Sequence, residues 1–177
     1  THARARVAFG RLLAELPLLR AQLVQMVVDT EAAASVVLHG ASTLDRWDGG
    51  VAEARALFRI TPPLAKYWIT QHARLVTAEA MNVRGGNGYI EEWVNPRLVR
   101  DAQIGLLWEG TSNINALDVV GRAVGKSKAH KALDGLLRRR LKEIVGLPAA
   151  FTGRLDTALT RAIEFVEEVA DKPDAEP

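Results

Sequence analysis

Cysteine is missing altogether from the 177-residue chain, which excludes disulfides and thiolate chemistry and leaves the compartment open. Aromatic residues are sparse at 6%, and the four tryptophans, Trp47, Trp68, Trp93 and Trp108, read as core or interface anchors rather than a stacking platform. No apolar run approaches the ~20 residues that a membrane span needs, and no basic-then-apolar leader precedes Thr1, so a soluble protein without a membrane partner is expected. Hairpin and strand signals and internal repeats are also lacking. The histidines His2, His39, His72 and His130 show no ligand spacing, so neither a metal site nor a catalytic triad is expected.

What is present is apolar and charged in ordinary proportion, 48% and 25%, at a length that fits one domain with a core. Only the last few residues read as disordered. The chain enters at Thr1-His2-Ala3-Arg4-Ala5-Arg6, which reads as the end of a helix, so a piece of a longer protein is expected.

From Leu16 to Trp47, positions Leu19, Leu23, Met26, Val27, Thr30, Ala34, Val37, Ala41 and Leu44 step by three and four, predicting one long amphipathic helix with that stripe buried. Asp48-Gly49-Gly50 ends it. A second helical run over Val51 to Val83 contains Pro62-Pro63, which predicts a kink or a restart there. Shorter helices are expected from Arg97 to Ile104, from Thr111 or Ser112 onward with Gly125 loosening the end, from about Ala129 to Val145, and from Arg154 to Ala170. The fold expectation is therefore all-α: an antiparallel, four-helix-type bundle over residues 1–125, with extra C-terminal helices over residues 126–177, in the same domain or appended.

Two features stand out of this helical background. Gly85, Gly86, Asn87 and Gly88 follow a helix, and such glycines either cap it or let a ligand approach the backbone. Glu109 stands in Trp108-Glu109-Gly110-Thr111, after apolar Leu106 and Leu107 and before a helix start, where it either caps that helix or acts as a tuned base.

The Gly-Gly-x-Gly-aromatic turn, the pair Arg100-Asp101, the triplet Glu109-Gly110-Thr111 and the stretch Arg6-Val7-Ala8-Phe9-Gly10 together resemble the C-terminal helical domain of the FAD-dependent acyl-CoA dehydrogenases, over residues 1–125. Trp108, where tyrosine is more usual, and Thr111-Ser112-Asn113 look closer to the branch of isovaleryl-type enzymes and an alkylation-response flavoprotein. The resemblance implies α,β-dehydrogenation of acyl-CoA thioesters with Glu109 as the α-proton base, although some branches carry that base on an earlier helix. It implies FAD contacts at Arg6, Phe9, Asn82, Gly85, Gly86, Thr111 and Asn113, and substrate contacts at Trp108 and Gly110. Asn82 and Pro17 stand where many members have glutamine. Also implied are a homo-oligomer of the family's tetrameric kind, an electron-transfer flavoprotein or similar acceptor, and a cytoplasmic or mitochondrial-matrix-type compartment. An isolated piece of this extent is expected to be inactive.

The remaining signal is charge. Between Arg122 and Lys142, eight Lys or Arg face one acid, Asp134, in a chain whose net charge is only +2. Such a stretch, centred on Arg138-Arg139-Arg140, either is a solvated or intersubunit face or contacts nucleic-acid phosphates without reading bases. Arg100-Asp101 and Glu91-Glu92 read as structural pairs. A flavoenzyme domain, a scaffold retained to bind DNA as a stress-response protein, and an oligomerisation module remain the three functional readings.

Overall fold

A one-turn helix, α1 (His2–Ala5), leads into a minimal antiparallel hairpin, β1 (Val7–Ala8) and β2 (Arg11–Leu12), paired Val7 with Leu12 and Ala8 with Arg11. The computed structural model describes residues 1–172, so the expected disorder of the last few lies outside the described residues. The hairpin is absent from the sequence expectation. Its two-residue turn places Phe9 at φ 54° and Gly10 at φ 74°, the left-handed pair whose twist matches that of the strands. Only Gly10 advertises it, and two-residue strands are too short to show alternation.

After a short 3-10 turn at Leu13–Glu15, two long helices follow, α2 (Pro17–Asp48) and α3 (Ala52–Arg84). Pro17 sits in the first turn of α2, where no N–H is needed. Gly50, at φ 86°, turns the chain into α3. Pro62 and Pro63 lie inside α3 without a restart, and beside them the Thr61 hydroxyl donates to the Leu57 carbonyl at 2.8 Å. Then come α4 (Gly86–Tyr89), α5 (Asn95–Ile104) and α6 (Ser112–Leu117). Helix α6 widens into a π-helical segment over Asp118–Lys126, where the Ser127 N–H reaches the Arg122 carbonyl at 2.9 Å. Helices α7 (His130–Glu143) and α8 (Ala149–Ala170) complete an all-α chain, α8 beginning five residues earlier than its sequence suggests.

The chain forms two compact units, Thr1–Val37 with Ala65–Thr111, and Leu38–Leu64 with Ser112 onward. In the first, α2 and α3 run antiparallel, tied by a hydrogen bond from the Gln22 amide to the Glu79 carboxylate. In the second, the later part of α2 meets the earlier part of α3: Trp47 lies 5.7 Å from Phe58, and a Cβ on Gly40 would come within 3.9 Å of Thr61. There Ile60, Ala123, Val124 and Ala129 form a core against which Leu133, Val166 and Ala170 pack.

The stripe expected along α2 requires correction. Leu19, Leu23 and Met26 are half-covered and Thr43 is buried, yet Thr30, Ala34, Val37, Ala41 and Leu44 are exposed, and so is Val27. Helix α2 is apolar on more than one side, and small or polar residues such as Ala32, Ala33, His39 and Gly40 occupy the more covered positions. The sequence pattern alone does not say which side a neighbouring helix takes. Among the described residues α2 is the one helix long and apolar enough to cross a membrane by length and composition, with a hydropathy of 1.2, although it holds no uninterrupted apolar run of that length. Gln22, Gln25, Asp29 and Glu31 interrupt it.

Candidate functional site

The glycine quartet does two different things. A Cβ on Gly88 would come within 2.2 Å of the Met81 carbonyl oxygen, so this buried glycine is required by close packing of α4 on α3. Gly85 has φ 61° and ψ −142°, a backbone region that is essentially glycine's alone. A Cβ on Gly85 or Gly86 would meet nothing within 4 Å, so their backbone faces open space.

That open space is a groove of about 460 Å³ in the first unit, lined by Arg6, Asn82, Gly85 and Gly86 together with His2, Arg84 and Asn87. Four residues implied in flavin binding thus converge from the N-terminal segment, the end of α3 and the turn beyond it. The donor set fits a dinucleotide phosphate: Arg6 and Arg84 carry permanent charge with forked donors, and the paired glycines leave the backbone approachable. Phe9 does not join them; it stands 95% exposed at the hairpin tip. Thr111 is exposed at the end of the first unit, and Asn113 is exposed on α6 in the second. Sequence reasoning missed His2 and Arg84 in the groove, and named Asn87 only as part of the glycine turn.

Glu109 lies in the turn between α5 and α6. Its φ of 52° puts a non-glycine residue in the left-handed region, and Gly110 follows at φ 100°. Such a conformation is sparsely populated for L-residues and persists where the surroundings impose it. The Lys66 ammonium, from α3, donates to the Gly110 carbonyl. This lysine was also missed; the signal was a lone cation in the apolar stretch Leu64-Ala65-Lys66-Tyr67-Trp68. The Glu109 carboxylate is exposed and makes no hydrogen bond or ion pair among the described residues, so it does not cap α6. Trp108 beside it is 61% exposed and Leu107 60%, so the dry wall expected around the carboxylate is open in this chain.

The other charged features are structural. Arg100 forks onto Glu91 at 2.8 and 3.1 Å, and this bond holds the Glu91 carboxyl below the usual range. Arg97 lies 3.4 Å from Asp101. Within the basic stretch, Arg138 is held by Asp134, Asp156 and Thr160, and Arg139 donates to Glu53 at 2.8 Å. Two of the three consecutive arginines are therefore spent on neighbouring helices, and nothing supports the DNA-binding reading. In the same unit Arg59 forks onto Asp118 at 2.8 and 2.7 Å, which lowers the Asp118 pKa. No cluster of three metal-ligating side chains occurs among the described residues.

Residues 1–125 match the family model described as the acyl-CoA dehydrogenase C-terminal domain. The chain is 34% identical over 168 residues to AidB of Escherichia coli K12, covering 86% of this chain and 30% of that protein. It is 33% identical over 169 residues to acyl-CoA dehydrogenase family member 11 of Caenorhabditis elegans, covering 94% and 26%. The structure of C. elegans ACDH-11 in complex with C11-CoA superposes with a TM-score of 0.79 at 25% identity, covering 97% of this chain and 30% of that one. The chain thus spans less than a third of the length of these relatives.

Proposed function

Since the chain belongs to the acyl-CoA dehydrogenase family, as its C-terminal domain, we propose that it serves an FAD-dependent enzyme that desaturates acyl-CoA thioesters, with Glu109 as the α-proton base. The observation that carries this reading is the carboxylate of Glu109, held in a left-handed turn and left without an internal partner. A glutamate used as a cap or ion pair has its oxygens occupied; this one keeps them for a proton. Proton removal from carbon demands a positioned base in a water-poor site. Trp108 and Leu107 supply apolar surface to one side of it, and Trp108 and Gly110 face the substrate.

Bound flavin supplies the hydride acceptor for the β-carbon. On this chain Arg6, Asn82, Gly85 and Gly86 hold the dinucleotide through the groove, with Phe9, Thr111 and Asn113 reaching flavin in a homo-oligomer, where the family shares the cofactor between subunits. The exposed apolar positions of α2, including Leu18, Val24 and Val28, give that assembly its surface. Helices α7 and α8 serve as a C-terminal extension of the same domain, since Leu133, Val166 and Ala170 pack on the core that holds Ile60, Ala123 and Val124. An electron-transfer flavoprotein or similar carrier takes the electrons, in the cytoplasm of a bacterium or a mitochondrial-type matrix.

The test is Glu109→Gln in the flavin-loaded full-length protein. The amide keeps the shape and cannot take the proton, so flavin stays bound and is no longer bleached by added acyl-CoA. Near-normal bleaching moves the base elsewhere and overturns the reading.

A further inference from the structure

We propose that Lys66 is a positioning residue that clamps the Glu109–Gly110 turn for proton abstraction, an inference that rests on the reading of Glu109 as the base. The half-buried Lys66 ammonium bonds the carbonyl of Gly110, the residue next to the carboxylate-bearing one. One helical turn further along α3, Thr70 faces the other end of the same segment: a Cβ on Gly105 would lie 3.4 Å from its Cγ2. Helix α3 therefore holds residues 105–110 at both ends, by close approach at Gly105 and by a charge-assisted hydrogen bond at Gly110. Between these points the chain tightens, with the Leu107 and Trp108 N–H groups both donating to the Ile104 carbonyl, at 3.0 and 3.1 Å.

The physical need for such a clamp follows from the backbone. Glu109 at φ 52° sits where an L-residue is disfavoured, and Gly110 at φ 100° could relax into many conformations. A hydrogen bond to the carbonyl between Gly110 and Thr111 fixes the peptide plane that follows both residues. A rigid helix reached through a four-carbon stem gives that plane a fixed reference, and an ammonium binds a carbonyl more strongly than a neutral donor does. Lys66 contacts the turn and not the substrate or flavin, so it acts through the position of Glu109.

The experiment uses the flavin-loaded full-length protein with Lys66→Met, which keeps the apolar stem and removes the donor, and Lys66→Arg, which keeps a charged donor. Amide hydrogen exchange, read without substrate, rises at least about tenfold over residues 108–112 in Lys66→Met and stays unchanged along the rest of α3. Flavin reduction by acyl-CoA falls about a hundredfold in kcat with KM little altered, the size expected for a base displaced by about 1 Å. Lys66→Arg restores both most of the rate and the protection.

Unchanged exchange over 108–112 in Lys66→Met overturns the clamp whatever the activity. Exchange raised along the whole of α3 overturns it as well, because Lys66 then serves the fold. Full activity of Glu109→Gln instead removes the base, and with it the catalytic purpose of the clamp; that failure is separate, since the exchange arm involves no turnover.

Discussion

The two compact units differ in what they bury. In the second, Leu57, His130, Val124 and Thr43 are fully buried, and Ile60, Ala123 and Ala129 close a core. In the first, the buried residues are Ala3, Gly88, Asn95 and Pro96, small or polar without exception, while Leu18 at 89% and Tyr89 at 77% lie open. Yet the first unit carries every candidate site residue except Asn113. Both units leave large apolar side chains open, Val145 and Phe165 of the second among them, but among the described residues only the second also closes a core of such side chains, while the first gathers the arginines and glycines of the groove. A groove of arginines and glycines and a partnerless carboxylate cannot also be a dry core, because charged groups and open backbone need water or a ligand.

The largest effect should separate the units by stability. Leu57→Ala removes a fully buried side chain and should cost about 2–5 kcal/mol in denaturant unfolding, whereas Val94→Ala at an exposed position of the first unit should stay within about 0.5 kcal/mol. Equal losses would erase the distinction. Next in size, Arg6→Ala should weaken flavin binding about tenfold or more, as the loss of a charge-assisted contact with phosphate predicts, while leaving the melting temperature of the apoprotein in place. A lower apoprotein melting temperature with flavin affinity intact would make that arginine structural.

The smallest effect is one of pH and belongs to the second unit. The forked bond from Arg59, and secondarily the nearby charges, hold the Asp118 carboxyl below its ordinary 3.8. A depressed carboxylate stabilises the fold above the unfolded value and loses that contribution as pH falls through the folded one. Acid titration of wild type should therefore lose about 1 kcal/mol below pH ~4 that Asp118→Asn lacks throughout, so the two stability curves converge at low pH. Curves that stay parallel would show that the pair contributes nothing.

Much of the fold was legible because its signals are local. Asp48-Gly49-Gly50 ends α2, a hydroxyl residue starts α6 at Ser112, and the absence of strand signal leaves only the two-residue strands of the hairpin unforeseen. Of the motif residues, Arg6, Asn82, Gly85 and Gly86 share one groove although Arg6 stands some eighty residues before the others, whereas Phe9, Thr111 and Asn113 do not line it. The buried side of α2 was not legible, since a helix apolar on several sides carries no mark of which neighbour arrives. Lys66 was not legible either: its partner is a backbone carbonyl 44 residues away, and a carbonyl has no sequence signature.

The sequence by itself determined the helical class, the helix ends and the chemistry on offer, because periodicity, caps and side-chain type act within a few residues. Tertiary structure alone decided that Glu109 sits at a left-handed φ with its oxygens unclaimed, that Arg138 and Arg139 are tied to Asp134, Asp156 and Glu53, and that the large buried side chains fall in one unit. Each of these depends on which distant groups come within bonding distance, and the short range of hydrogen bonds and packing forces makes that a property of the folded chain.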